Sequence, residues 1–177
     1  MTAGGSSRTE RVLAPDFVAS LEELSIEEVR SRRDQAQAER EFQSYLRRLI
    51  QVRQDIVRAE LDRRAQGRES APLIDRLTSV LSEGPPRGPG RGEALPLGPS
   101  PEDMAEADRQ ADAAAGGVLS DPATLDDESL ARAAQALEER EHEVSANRLA
   151  VLRVHDQLHE ELKRRYREDP SLIPSEV

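Results

Sequence analysis

Between Ser25 and Gln66 the chain contains neither glycine nor proline. The two residues that break helices most strongly are thus missing from a stretch long enough for roughly eleven turns at about 3.6 residues each. Ser25 followed by Glu28 is a capping-box pattern that starts a helix, and Gly67 ends it. Within it Phe42, Tyr45, Leu49, Val52, Ile56 and Ala59 alternate steps of three and four, the spacing of a coiled-coil seam. A second long helix begins near Asp126 and runs to about Glu168, where Leu130, Leu137, Val144, Val151 and Leu158 repeat every seven residues. Each helix would span roughly 55 to 60 Å at about 1.5 Å per residue.

What joins the two is of opposite character. Eleven of the eighteen residues from Gly84 to Pro101 are Gly or Pro, a composition that makes a flexible linker. Before it, Ser70–Glu83 reads as one short helix with Leu73, Ile74, Leu77, Val80 and Leu81 on a face; after it, 102–117 is acidic, alanine-rich and only weakly helical. Met1–Glu10 reads as a disordered tail, and Asp16–Leu24 as a short amphipathic helix carrying Phe17, Val18, Leu21 and Leu24. The expected fold is all-α: an antiparallel two-helix coiled-coil hairpin with a short N-terminal helix and a long flexible linker. Its parts are residues 1–24 (tail and short helix), 25–66 (helix one), 67–125 (short helix and linker), 126–169 (helix two) and 170–177 (tail). Helix one has one surplus. Leu46, Ile50 and Val57 widen its apolar arc to about 160°, more than a single seam needs, which predicts a protein partner or a homo-oligomer.

Composition narrows the function. Two Phe, two Tyr and no Trp leave little for a large enclosed core. A net charge of -10 argues against binding DNA directly, and Glu39, Glu41, Asp55 and Glu60 interrupt any basic face. With no cysteine, thiolate chemistry and Cys-based zinc sites are excluded. The first fifteen residues lack an apolar core and no run approaches membrane-spanning length, so a cytoplasmic protein without a membrane partner is expected. His155 and His159 lie four apart but lack the Glu that follows the first His in zinc proteases. Carboxylate pairs such as Asp126/Asp127 sit where they serve a helix start. No phosphate-binding loop is evident, and an enzyme is not expected.

The chain also repeats itself. Displaced by 101 residues, the two helices superimpose Ser44/Ser145, Arg47/Arg148, Asp55/Asp156, Glu60/Glu161, Leu61/Leu162, Arg63/Arg164 and Arg64/Arg165. Shared apolar positions are expected of any two coiled-coil helices; shared Ser, Arg and Asp need another cause. Positions 40, 44, 47, 51 and 55 fall inside an arc of about 80°, as do 141, 145, 148, 152 and 156. Each helix therefore carries a polar strip beside its seam. Two readings stand: a solvated face that kept its ancestral residues after duplication, or a bipartite site. In the second, arginine forks onto guanine or phosphate, aspartate accepts from guanine N–H groups and serine donates to phosphate oxygens.

The strips resemble the E-x3-S-x2-R-x3-Q-x3-D signature that occurs twice in the RsiG family of anti-sigma factors. Ser44, Arg47, Gln51 and Asp55 fit it in helix one, and Glu141, Ser145, Arg148 and Asp156 in helix two; Arg40 stands in place of Glu, and Leu152 in place of Gln. The resemblance implies an antiparallel hairpin that holds two molecules of cyclic di-GMP and, so loaded, sequesters a sporulation sigma factor of the WhiG type. It also implies that the N-terminal segment helps bind the sigma factor, which would use Phe17, Val18, Leu21 and Leu24. Without the resemblance, a ligand-independent coiled-coil adaptor would be the leading reading.

Overall fold

The computed structural model describes residues 5–67, 98–116 and 122–173. Among them the regular elements are all helical: α1 (Gly5–Leu13), 3-10 turns at Pro15–Phe17 and Leu21–Glu23, α2 (Ile26–Ala65), α3 (Pro101–Ala114), a 3-10 turn at Pro122–Thr124, α4 (Asp127–Glu168) and a last turn at Pro170–Leu172. Each long helix is capped by its own sequence. The Glu28 amide donates to Ser25 Oγ at 3.1 Å, and the Ser129 amide to the Asp126 carboxylate at 2.7 Å. Gly67 closes α2 in the left-handed region at φ +62°, where a Cβ would be strained.

The long helices α2 and α4 pack against each other and run antiparallel. Arg30 pairs with Tyr166, Arg47 with Ser145 and Arg64 with Asp127, so rising numbers on one helix meet falling numbers on the other. On α4 the heptad residues Leu130, Leu137, Val144, Val151 and Leu158 are all fully buried. Side chains of this size contribute roughly 1.5–3 kcal/mol each on burial, enough to hold a long hairpin.

On α2 the buried face differs from the expected seam. Leu46, Ile50 and Val57 are fully buried beside Phe42, whereas Val52 is 46 % exposed, Ala59 is exposed and Tyr45, Leu49 and Ile56 are half-buried. The reason is a third helix. Ala107 and Ala111 on α3, with Ala115 just beyond its end, join the cluster formed by Phe42, Leu46, Ile50, Val57, Leu130, Leu137 and Val144. Alanines spaced by four give α3 a flat face that lies close on its neighbour. The middle of the wide arc on α2 thus faces two helices, and its three–four edge is left outside. The surplus apolar residues Leu46, Ile50 and Val57, expected to await a partner, are covered from within the chain. The acidic stretch expected to be weakly helical supplies the cover. Arg53 fastens it, donating to Asp112 at 2.5 Å. The short helix expected at Ser70–Glu83 and most of the Gly/Pro-rich linker lie outside the described residues.

The N-terminal region also departs from expectation. Part of the tail read as disordered is α1, and the segment read as a helix over 16–24 forms two 3-10 turns separated by Ser20 at φ +49°. Val12 and Phe17 are buried in a second cluster with Val29, Ala36, Val151, Leu158 and Leu162, and Val18, Leu21 and Leu24 pack against it. These apolar residues are engaged within the chain. Polar contacts tie α1 down as well: the buried Glu39 carboxylate accepts from Thr9 Oγ1 at 2.6 Å, Arg8 Nε at 2.6 Å and Gln43 Nε2 at 2.7 Å. A carboxylate taken wholly out of water requires such partners. Arg8 also donates to Asp103 on α3 at 2.7 Å and lies 4.8 Å from the centre of the Phe42 ring.

Candidate functional site

The register of the hairpin decides what the polar strips can do. Steps of three and four along α2, from Ser44 to Arg47 to Gln51, are matched by the same steps down α4, from Arg148 to Ser145 to Glu141. Arg47 Nε donates to Ser145 Oγ at 2.9 Å, and Arg148 Nε donates to Ser44 Oγ at 3.2 Å. Under the 101-residue repeat each of these bonds is the image of the other. The two strips therefore meet about a pseudo-twofold axis that crosses the hairpin between these pairs.

Four of the eight expected site residues form one compact group. Glu141 Oε1 accepts from Arg47 Nε at 2.7 Å and from Ser145 Oγ at 2.9 Å, with Gln51 Nε2 at the long limit of 3.5 Å. Partial burial pulls the Glu141 carboxyl upward, but the hydrogen bonds from Arg47 and Ser145 and the charge of Arg47 outweigh it and hold Glu141 below the usual carboxylate range. Ser44 and Arg148 form the second group. Asp55 and Asp156 stand apart: both are exposed, at opposite ends of the strip, and the Asp156 carboxylate lies 3.3 Å from Nδ1 of its neighbour His155. His155 and His159 stack at 5.9 Å, and no cluster fit for a metal ion occurs among the described residues.

The same axis relates a second set of contacts whose role sequence reasoning missed. Near the end of α2, Arg64 donates to the carbonyls of Pro122 and Ala123, both at 3.2 Å, in the turn that leads into α4. Near the end of α4, Arg165 donates to the carbonyls of Leu24 at 2.8 Å and Leu21 at 2.6 Å, in the turn that leads into α2. Glu60 holds Arg64 at 2.8 Å, and Glu161 holds Arg165 at 2.7 Å. Arg64 and Arg165, each fixed by the repeated glutamate at 60 or 161, thus clamp the hairpin ends. That accounts for part of the polar repeat by structure alone. The clamps leave Ser44, Arg47, Ser145 and Arg148, at the centre, without such an account.

Chemically, the centre offers guanidinium groups, hydroxyls and one carboxylate from two helices on one face, with Arg47 at 38 % and Glu141 at 17 % side-chain exposure. That set suits a ligand that carries both anionic oxygens and N–H donors. Among the described residues no helix is long and apolar enough to cross a membrane. A search of curated proteins finds no match. Residues 15–81, which contain the whole of α2 and its strip, match the RsiG-like family; the chain is consistent with an RsiG-type protein, and the match suggests a regulatory, anti-sigma-factor role, with a sigma factor as partner, over an enzymatic one.

Proposed function

We propose that this protein is a cytoplasmic anti-sigma factor gated by cyclic di-GMP, which binds across the paired strips and enables the hairpin to sequester a sigma factor of the WhiG type. The observation that carries the reading is the reciprocal pair of bonds, Arg47 to Ser145 and Arg148 to Ser44. Neither helix alone offers the full set of partners. A ligand seated on both strips would fix the spacing and register of α2 and α4, and a sigma factor that binds the fixed form would gain affinity with ligand concentration. That coupling is reciprocal: the sigma factor must raise ligand affinity by the same factor. The twofold arrangement suits two molecules of a twofold-symmetric ligand. Ser44, Arg47, Gln51 and Asp55 would contribute from α2, and Glu141, Ser145, Arg148 and Asp156 from α4.

One observation favours a second reading, a ligand-independent coiled-coil adaptor. Arg47, Ser145 and Glu141 already satisfy one another, as a structural clasp would. Thermal melting separates the two. At a ligand concentration about one hundred times Kd, the first reading predicts a gain of about 2.7 kcal/mol, or roughly 5–10 °C in Tm. The gain should appear with cyclic di-GMP and not with GMP or cyclic di-AMP. An unchanged Tm with saturating cyclic di-GMP leaves the adaptor.

A further inference from the structure

The two halves of the central site agree at Ser44/Ser145 and Arg47/Arg148 and differ at 40/141 and 51/152, where Arg40 answers to Glu141 and Gln51 to Leu152. The register gathers these differences into opposite ends. Gln51 lies beside Glu141 at 3.5 Å. Arg40, one turn before Ser44, falls level with Leu152, one turn beyond Arg148. The serines record the consequence. Ser145 Oγ donates to the Glu141 side chain at 2.9 Å; Ser44 has no carboxylate at the equivalent place and turns back to the carbonyl of Arg40 at 2.7 Å. The arginines differ in the same way: Arg47 is held by a carboxylate, whereas Arg148, exposed, donates to a hydroxyl. Counting the exposed aspartate one turn farther out at each end, one end carries Arg47, Gln51, Glu141 and Asp55, with one net negative charge. The other carries Arg40, Arg148, Leu152 and Asp156, with one net positive charge.

We infer that the site is polar along the hairpin: the Arg40–Arg148 end receives phosphate oxygens, and the Glu141–Gln51 end receives the N–H edge of a guanine base. This rests on the guanine-dinucleotide reading given above and goes beyond it, since a twofold site would treat its ends alike. Two guanidinium groups without a carboxylate hydrogen-bonded to them among the described residues attract an anion through charge, which salt screens. A carboxylate beside a carboxamide reads N–H donors by direct hydrogen bonds, which discriminate one base from another.

The test is titration of the full-length chain with cyclic di-GMP and with cyclic di-AMP at low and high salt, for the wild type, Arg40→Gln and Glu141→Gln. Arg40→Gln should weaken cyclic di-GMP about tenfold at low salt and flatten the salt dependence, with guanine preference kept. Glu141→Gln should leave the salt dependence as it was and reduce the preference for guanine over adenine. Partly exposed positions on a long helix tolerate both changes, and circular dichroism verifies the fold. Wild-type protein that binds no cyclic di-GMP overturns the ligand reading and this inference together. Binding by the wild type with Arg40→Gln equal to it at both salt concentrations overturns the polarity alone, as does a Glu141→Gln variant that keeps its guanine preference.

Discussion

Arg64 and Arg165, each four residues after a glutamate on its own helix, hold the backbone that leads into the other helix. Glu60 and Glu161 fix them, and the carbonyls of Pro122 and Ala123, or of Leu21 and Leu24, receive them. These carbonyls lie in turns just outside the helices, where backbone acceptors need partners. A long hairpin frays first at its ends, so contacts there act on the whole register.

Arg165→Ala should therefore destabilise the protein by about 2 kcal/mol, the cost of losing charge-assisted bonds to partly buried carbonyls. Its side chain is only 13 % exposed. Arg64→Ala should act in the same direction. Arg164, 46 % exposed and bonded to Glu161 and Glu168 on its own helix, provides the control. Urea unfolding should show a clearly larger fall in midpoint for Arg165→Ala, which loses contacts across the hairpin, than for Arg164→Ala, which loses contacts within its own helix. Equal effects would deny the clamp.

Acid should attack the same end of the molecule. Hydrogen bonds from Arg164 foremost, then from Arg165, hold Glu161 at about 2, well below its ordinary value, against the opposing pull of burial. The unfolded state then binds more protons than the folded one, so this contribution is full above the ordinary glutamate value. It is lost as pH falls toward about 2. Glu141, held low by Arg47 and Ser145, works in the same direction. Denaturation midpoints measured from pH 6 down to 2.5 should fall more steeply for wild type than for Glu161→Gln, and parallel curves would exclude Glu161 as a source.

The α4 seam was legible in sequence because a single apolar residue every seven positions leaves one face to bury. On α2 the apolar arc was wide enough for two faces, and the three–four rule chose the edge that includes Val52. Burial of Leu46, Ile50 and Val57 depends on α3, which is rich in acidic residues and whose buried residues are alanines, a pattern with little hydrophobic contrast. α1 was hidden for a similar reason: its buried face includes Thr9 and is completed by Glu39 from another helix. The repeat exposed both the central strip and the end clamps, but spacing alone did not separate them. Their difference lies in what each arginine meets across the hairpin, which only the register reveals.

The covering role of α3 has its own consequence. Ala111 is fully buried against the cluster that holds Leu46 and Ile50. Ala111→Glu places an unpaired carboxylate there, and the cheapest relief is for α3 to lift away. Far-UV circular dichroism should lose helical signal equivalent to about one short helix, and the exposed α2 face should bind a hydrophobic dye. Retained helicity with no dye binding would mean that α3 is not held by this face.

The two ends of the central site should also differ in free protein, whatever binds there. Arg47 and Glu141 attract each other at 2.7 Å. A double-mutant cycle of Arg47→Ala with Glu141→Ala should return a favourable coupling of about 0.5–1 kcal/mol at low salt, the range for partly exposed ion pairs. The mirror-image cycle pairs Arg148→Ala with Arg40→Ala. Here two like charges flank Ser44, which accepts from Arg148 and donates to the Arg40 carbonyl. Its coupling should be zero or unfavourable, because like charges repel where opposite charges attract. Salt should shrink the first coupling toward zero. Two cycles of the same sign would mean that the ends are electrostatically alike, in spite of the residues that distinguish them.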